Sequence, residues 1–287
     1  MSTDPDQAAL ADNRENWNDR ADVHAASTTY DVAGLLAHPM SISQVVRNDL
    51  EVLWKHLPDT GIRGRSLLHL QCHIGTDTLS WARLGAAEVH GLDLSPTALH
   101  HARRIATADG RSITWVEGDV RVASTLIHRC FEVIVTSVGT IVWLPELTEW
   151  AHSIYDLLEP GGLFLIRDDH PLVAALDEDR PWRIANNYLA GGGVRTYHDD
   201  STYTDDSAGR IRHVTNHQWH HDIAEVITAL VNANLTIRAV SELPYIDWPA
   251  LPGLQPCAQG WQSPPHAPRI PLTYAILARK EPTIPSA

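Results

Sequence analysis

The chain has 287 residues, of which 44% are hydrophobic and 20% are charged, a composition typical of one α/β domain with an added cap or insertion. Its formal charge of −13 is spread along the chain, so most of the surface would repel a phosphate backbone, and we expect no nucleic-acid partner. The three cysteines lack metal-ligand spacing, and neither a membrane span nor a signal peptide is recognisable, so we expect a cytoplasmic protein without a membrane partner.

The segment before the first strand is predicted to form a helical cap. Residues 1–13 are small and polar without periodicity, and they are predicted to be a flexible tail. Residues 14–60 contain two helical patterns, one near 16–25 and an amphipathic one near 42–57. Pro58 and Gly61 close this cap.

Strands and helices then alternate. The predicted strands are residues 66–72, 88–94, 113–119, 131–137 and 163–167. The helix that opens at Pro96 is the clearest, because Ser95 is a good N-cap and proline suits the first helical position. Parallel neighbours need crossover connections of one hand, so the alternation predicts a doubly wound, mostly parallel sheet.

The pattern lapses after the fifth strand. Residues 171–213 are rich in Asp, Gly and Tyr and predict an insertion or lid. A helix at 222–234 leads into a strand at 235–240, and a proline-rich irregular loop separates it from the last strand at 272–278. No helix joins these last two strands, so one of them is expected to pair antiparallel at an edge.

The predicted fold is therefore α/β, with a doubly wound, mostly parallel seven-stranded sheet, an N-terminal helical cap and an insertion after strand five. Residues 61–280 are predicted to form the main domain, and residues 281–287 a tail. Ligands of such sheets bind at the carboxyl ends of the strands.

The first two strands end in residues suited to a nucleoside. The helix after Gly75 offers its N-terminus to a charged group, and Asp93 ends the second strand, where a carboxylate can accept hydrogen bonds from two ribose hydroxyls. A dinucleotide would require further glycines near its pyrophosphate, and Gln71 and His73 occupy those positions. A nucleoside without phosphate is therefore favoured, although Asp93 could instead only help to start the next helix.

The segment Leu68-His-Leu-Gln-Cys-His-Ile-Gly75 resembles the glycine-rich first motif of class I S-adenosylmethionine-dependent methyltransferases, in the form it takes in a bacterial branch that acts on small molecules. Only the last glycine of the usual motif is present. Asn13 to Arg20 is similar to the helix that covers the cofactor in that branch. The resemblance implies a Rossmann-like methyltransferase fold and S-adenosylmethionine as cofactor. The cofactor contacts that it implies are Gln71, Cys72, Gly75, Asp77, Thr78, Asp93, Leu94, Asp119, Val120 and Ser137.

The resemblance assigns particular tasks to some of these residues. Asp93 is expected at the ribose, Asp119 at the adenine amino group and Val120 against the adenine ring, while Ser137 borders the methionine end. Asp119 could instead be a strand-end residue that faces water. Tyr30 is a further contact, on the acceptor side.

A proton acceptor is needed if the methylated oxygen or nitrogen has a high pKa. His170 is the first candidate, because Arg167-Asp-Asp-His170 follows strand five directly and Asp168 and Asp169 could orient the ring. His217 is a second candidate. The predicted acceptor-binding residues are Tyr30, Trp143, Tyr203 and Trp219. A zinc site from His217, His220, His221 and Asp168 lacks a familiar ligand spacing, and no metal is expected.

The sequence thus predicts an enzyme that transfers methyl from S-adenosylmethionine to O, N or C of a small molecule, in secondary or specialised metabolism, and that is a monomer or homodimer. One alternative is C-methylation of a prenyl diphosphate with Mg²⁺, in which a carboxylate such as Asp168 takes a proton from a carbocation. Another is a regulatory protein that binds the cofactor without catalysis. A third is a zinc-dependent hydrolase.

Overall fold

A seven-stranded sheet forms the centre of the protein in the computed structural model, which describes residues 5–58, 60–191, 193–204 and 209–282. The strands are β1 (Ser66–Leu70), β2 (Glu88–Asp93), β3 (Thr114–Glu117), β4 (Phe131–Thr136), β5 (Leu158–Asp169), β6 (Val194–His198), β7 (Thr215–Trp219), β8 (Thr236–Leu243), β9 (Tyr245–Ile246), β10 (Gln255–Cys257), β11 (Gly260–Gln262) and β12 (Thr273–Arg279). The α-helices are α1 (Pro5–Ala26), α2 (Val32–Ala37), α3 (Gln44–Leu53), α4 (Thr76–Arg83), α5 (Pro96–Ala108), α6 (Ala123–Leu126), α7 (Thr148–Leu157), α8 (Pro171–Ala175) and α9 (Ile223–Asn232).

The strand order of the central sheet is β3-β2-β1-β4-β5-β12-β8, with β1 to β5 all parallel. The seven-stranded, mostly parallel sheet is confirmed. The expectation that one of the last two strands pairs antiparallel at an edge is confirmed by β8, while its partner β12 lies inside the sheet and pairs antiparallel with both β5 and β8. A chain that reverses without a helical crossover can insert between two strands of the opposite direction.

Helices cover both faces of this sheet, as neighbouring residues of one strand show. Phe164 packs in a core with Trp150 of α7, whereas Leu165 packs in a second core with Trp81 of α4. Both faces of the middle strands are therefore buried, which accounts for the continuous apolar runs in their sequence. At α5, the Ser95 hydroxyl accepts the N–H of Ala98 at 3.0 Å, as its predicted capping role requires.

The N-terminal segment is more regular than its sequence suggests. Helix α1 begins at Pro5, so most of the predicted tail over residues 1–13 is helical, and polar side chains of this helix bond to a distant hairpin instead of to solvent. The amphipathic helix expected near 42–57 is α3, which continues into a single 3-10 turn. Within the described residues, no helix is long and apolar enough to cross a bilayer.

Two further small sheets lie outside the central one. Strands β6 and β7 form an antiparallel hairpin whose first strand falls in the predicted insertion over 171–213, and β9, β10 and β11 form a small sheet within the proline-rich loop. The predicted tail over 281–287 lies mostly outside the described residues. The division into cap, main domain and insertion stays a prediction.

Candidate active site

The loop after β1 contains three residues with positive φ, although only one of them is glycine. Gln71, His73 and Gly75 have φ values of 54°, 49° and 78°, all in the left-handed region. Side chains other than glycine reach this region at a cost of about 1–2 kcal/mol each. A Cβ on Gly75 would lie 2.6 Å from the Trp115 ring, so glycine is required at that position. The loop therefore adopts left-handed backbone at two residues that are not glycine.

The carboxylate of Asp93 fixes this loop. Its Oδ2 accepts the backbone N–H of His73 at 2.7 Å, and its Oδ1 accepts that of Ser95 at 2.9 Å. Burial raises the pKa of Asp93 to about 6, although these hydrogen bonds favour the charged form. Each carboxylate oxygen has a second lone pair, so Asp93 can still accept hydrogen bonds from a ligand.

The neighbouring predicted contacts are placed differently. Thr78 is fully buried in α4, and its hydroxyl bonds Nδ1 of His69 at 2.8 Å, so it supports the loop instead of facing a ligand. Val120 is buried in the apolar core. Asp119 forms an ion pair with the Arg121 guanidinium at 2.7 Å, so Arg121 would compete with an adenine amino group for this carboxylate.

The remaining predicted contacts lie along the same edge. Cys72 is buried and donates its backbone N–H to the Leu92 carbonyl, which holds the loop on the second strand, and Leu94 is half-buried in the turn after Asp93. Asp77 lies in the first turn of α4. Burial raises its pKa to about 6, while a hydrogen bond with Ser43 favours its charged form.

Ser137 at the end of β4 belongs to a buried charge network. Its hydroxyl donates to Asp49 at 2.8 Å, and Asp49 in turn accepts from the fully buried Arg167 at 2.6 Å. Arg167 also pairs with Asp247. Burying these charges costs less because each is both paired and hydrogen-bonded.

An aromatic cover from α1 and the chain after it lies over the loop. Nδ1 of His24 is 2.8 Å from Nε2 of His73, and Nε2 of His24 is 2.7 Å from the Thr202 hydroxyl. The His24 ring stacks on Tyr30, whose hydroxyl is 2.6 Å from that of Tyr203. Burial lowers the pKa of His73 to about 3 and that of His24 still further, so both rings are neutral.

Tyr30 and Tyr203, both predicted to face the acceptor, are thus brought together. Trp143, a third predicted residue, lies beside this cover. Its ring meets that of Trp17 edge-on at 5.1 Å, and its Nε1 donates to the Gly139 carbonyl.

The predicted catalytic residue His170 has no free ring nitrogen. Nδ1 accepts the N–H of Leu172 at 3.1 Å, which places the proton on Nε2, 3.2 Å from a carboxylate oxygen of Glu242. Asp168 and Asp169 were expected to orient this ring, but Glu242 does so. His170 therefore begins α8 as its cap and has no lone pair left to take a proton.

Asp168 is engaged even more completely. One of its oxygens accepts the N–H groups of Gly139 and Asp169, and the other accepts the Thr140 N–H, the Thr140 hydroxyl and the Ile141 N–H. Five donors surround a group with about four lone pairs. The side chain predicted to assist catalysis therefore holds the loop after β4.

His217 and Trp219 lie on the β6–β7 hairpin. The His217 ring lies between the Thr196 hydroxyl and Asp12, each at 3.0 Å, where β7 meets α1. Trp219 is buried on the same hairpin, opposite Val194 in register. The roles predicted for these two residues toward the acceptor stay predictions.

The histidines that suggested zinc have separate partners. His220 bonds the Tyr188 carbonyl at 2.5 Å, and His221 bonds Glu225 and the Leu144 carbonyl. Among the residues that the structure describes, no group of three or more His, Cys, Asp or Glu side chains is placed to hold a metal ion.

Comparisons with known proteins agree with this architecture. Residues 67–162 match a family described as a methyltransferase domain. The fold is shared with a S-adenosylmethionine-dependent methyltransferase of Mesorhizobium loti, at a TM-score of 0.55 and 22% identity, over 80% of this chain and 97% of that one. Residues 67–162 are thus similar to a methyltransferase domain, and the chain shares the fold of S-adenosylmethionine-dependent methyltransferases.

Two curated relatives in this family align over part of the chain. A ubiquinone biosynthesis O-methyltransferase of Shewanella sp. (strain ANA-3) is 33% identical over 102 residues, which are 36% of this chain and 42% of that protein. A trans-aconitate 2-methyltransferase of Methylobacterium radiotolerans is 27% identical over 198 residues, 64% of this chain and 70% of that protein. The chain thus spans less than half the length of the first relative.

The loop fits S-adenosylmethionine, the cofactor of the Mesorhizobium loti methyltransferase whose fold the chain shares. Nε2 of Gln71 donates to the Thr140 carbonyl at 2.9 Å, while its Oε1 is buried without a hydrogen-bond partner among the described residues. An unpaired buried acceptor costs free energy unless a donor reaches it. The ammonium of the cofactor is such a donor, and Asp93 offers acceptors to its ribose.

Two residues beside this site were missed from the sequence. His24 lies four residues after Arg20 on α1, one turn beyond the segment predicted to cover the cofactor, and that helical spacing would have placed it on the same face. Trp248 donates from Nε1 to Asp169 at 2.8 Å, and no sequence pattern in the irregular loop pointed to it.

Proposed function

We propose that this chain transfers the methyl group of S-adenosylmethionine to a small-molecule acceptor in secondary or specialised metabolism. The observation that carries the proposal is the loop after β1, whose left-handed backbone is retained at Gln71 and His73 and is braced by Asp93. Unfavourable backbone conformations of this kind cluster at ligand-binding sites, so their presence at Gln71 and His73 supports a functional cofactor site.

The names of the two curated relatives support a small acceptor, since one acts in ubiquinone biosynthesis and the other on trans-aconitate. The aromatic cover supports it as well. Tyr30, Tyr203 and His24 enclose the space over the loop, and this favours a compact acceptor over a polymer. Methyl transfer then requires chiefly that the acceptor atom be aligned with the sulfonium methyl.

In this proposal Asp93 binds the two ribose hydroxyls and Asp119 receives the adenine amino group by sharing its carboxylate with Arg121. Gln71 Oε1 accepts from the ammonium, and Asp77 and Ser137 border the methionine end. Several carboxylates near that end, which the guanidinium of Arg167 compensates only in part, favour a ligand that carries a positive sulfonium.

Titration calorimetry with S-adenosylmethionine and with S-adenosylhomocysteine tests cofactor binding, and release of S-adenosylhomocysteine with a panel of amines, phenols and carboxylates tests transfer. We expect saturable binding of both nucleosides and turnover with at least one acceptor class. Absence of binding would refute the proposal. Tight binding without turnover on any acceptor would favour the regulatory alternative.

Methylation of a prenyl diphosphate is less well supported. The carboxylate suggested for its carbocation step, Asp168, already accepts five hydrogen bonds. If prenyl diphosphate with Mg²⁺ nevertheless supports turnover while amines and phenols do not, that alternative replaces the broader proposal.

A further inference from the structure

Asp169, at the carboxyl end of β5, is a half-buried residue whose carboxylate has one shielded, unused oxygen. Its Oδ2 accepts the Trp248 indole N–H at 2.8 Å. Its Oδ1 is shielded from solvent and has no hydrogen-bond partner among the described residues. A buried acceptor of this kind is stable only if a donor binds it or a proton neutralises it.

The surroundings of Asp169 connect it to the proposed acceptor space. The Trp248 ring lies 6.1 Å from the ring of Tyr203, and the Tyr203 hydroxyl meets that of Tyr30 over the cofactor loop. Asp169 therefore lies below the same aromatic cover that encloses the loop. The end of β5 is also the edge at which ligands of parallel sheets bind.

The charges around Asp169 leave it poised to exchange a proton. Burial and the adjacent carboxylates of Asp168 and Asp247 raise the pKa of Asp169 to about 8, while the Trp248 hydrogen bond and Arg167 favour its charged form. The Arg167 guanidinium is already paired with Asp247 and a second aspartate, so it offers only partial compensation. A proton acceptor works best when its pKa lies near the working pH.

We propose that Asp169 is the carboxylate that binds the nucleophile of the acceptor and takes its proton, and that this nucleophile is an amine. The inference rests on the proposed methyl transfer. The ammonium form of the acceptor gives a proton to Oδ1 of Asp169 and becomes a neutral amine. The amine lone pair then forms the N–C bond to the sulfonium methyl, and the S–C bond breaks with its electron pair moving to sulfur, which leaves a thioether.

The charge balance distinguishes an amine from other acceptors. An ammonium supplies the positive charge that offsets the Asp169 carboxylate, and the Tyr203 ring lies close to Trp248, which is bonded to that carboxylate. A carboxylate acceptor would be repelled by Asp169 and would need no base. A phenol could give its proton, but it would leave a negative oxygen beside the acidic pair.

The test uses the whole chain and three probes of matched size, phenethylamine, 4-ethylphenol and 3-phenylpropanoate. Phenethylamine should bind saturably to the S-adenosylhomocysteine complex, and Asp169→Asn should weaken this binding at least tenfold. The phenol and the carboxylate should bind more weakly than the amine. With S-adenosylmethionine, kcat/KM for the amine should rise with pH through about 8 and level above it, and D169N should lower it by about 100-fold and remove that rise.

Three controls separate chemistry from structure. S-adenosylmethionine affinity of D169N should stay within threefold of the unsubstituted protein. Asp169→Glu should restore part of the rate and the pH dependence. Trp248→Phe removes the indole donor that favours the charged carboxylate, so it should keep the rise of kcat/KM with pH but move it to higher pH, a shift that a merely structural Asp169 would not produce.

Each contrary result has a distinct meaning. Preferred binding of the phenol or the carboxylate, or no saturable binding of phenethylamine, overturns the amine acceptor. An unchanged pH profile in D169N overturns the role of Asp169 while leaving methyl transfer intact. Failure of the unsubstituted chain to bind S-adenosylhomocysteine at all would instead refute the proposed function.

Discussion

Replacement of Asp93 by alanine tests the cofactor site most directly. The substitution removes the acceptor of the His73 and Ser95 N–H groups, at 2.7 and 2.9 Å, together with the two proposed ribose contacts. Hydrogen bonds to a charged group contribute about 1.5–3 kcal/mol each, so loss of two ribose contacts is worth about 3–6 kcal/mol. With about 1.4 kcal/mol per factor of ten, affinity for S-adenosylmethionine should fall by about 10²- to 10⁴-fold.

Calorimetry with S-adenosylhomocysteine and its 2′,3′-dideoxy analogue separates lost ribose contacts from a loosened loop. The unsubstituted protein should discriminate strongly between the two ligands, and D93A should bind both equally, because a thermodynamic cycle isolates the pairwise interaction. Ser95→Ala is the matched control: it removes the neighbouring helix cap, at about 1 kcal/mol of stability, and keeps the carboxylate.

The pH dependence provides a second criterion for Asp93. Burial raises its pKa to about 6, so affinity of the unsubstituted protein for the cofactor should weaken as the pH falls below 6. In D93A this decrease should be smaller, with only the part due to Asp77 remaining, since burial raises the pKa of Asp77 to about 6 as well. If D93A binds S-adenosylmethionine within threefold of the unsubstituted protein, or still distinguishes the dideoxy analogue, the assignment of the ribose site is wrong.

Three other predictions concern stability. His24 is buried as a neutral ring because burial lowers its pKa, so its contribution to stability is complete above the unfolded pKa of about 6.5 and falls as the pH decreases. In urea unfolding, His24→Gln should reduce the dependence of the unfolding free energy on pH by up to about 1.4 kcal/mol per pH unit. An unchanged pH dependence contradicts the burial argument. Gly75→Ala places a Cβ 2.6 Å from the Trp115 ring at a residue with positive φ. The variant should lose about 2–4 kcal/mol of unfolding free energy and should not bind the cofactor. A fully stable variant would show that the loop can move. Arg167→Met leaves Asp49 and Asp247 without their cation and should lower the unfolding free energy, measured by thermal unfolding, by about 3–5 kcal/mol. Protonation of the two carboxylates would reduce this loss, and the variant would then regain stability at low pH.

The fold could be predicted because its signals are local. The apolar runs of β1 and β4 and the Ser95-Pro96 cap depend on neighbouring residues, and these elements lie within one or two residues of their predicted bounds. The extent of α1 could not be predicted in this way. Its polar residues are satisfied by a hairpin about 200 positions away, for example Asn13 by the backbone of His217.

The catalytic side was harder to predict for a related reason. His170 and Asp168 follow a strand at the right edge of the sheet, and sequence position alone suggested that they face the acceptor. Which lone pairs remain free depends on donors from Leu172, the loop after β4 and Glu242, which lie on other elements. Asp169 differs from its neighbour only in that one oxygen meets no donor.

The pairing of α1 with the β6–β7 hairpin has a consequence for biosynthesis. Asn13 bonds the main chain of His217 through both its amide oxygen and its amide nitrogen, at 2.7 and 2.8 Å. Translation proceeds from the N-terminus, so a ribosome must add about two hundred residues before this partner emerges. Before the hairpin is synthesised, the nucleoside-binding loop is already present but α1, which covers it, lacks its hydrogen-bond partner. A growing chain should therefore hold S-adenosylmethionine weakly until the hairpin is complete.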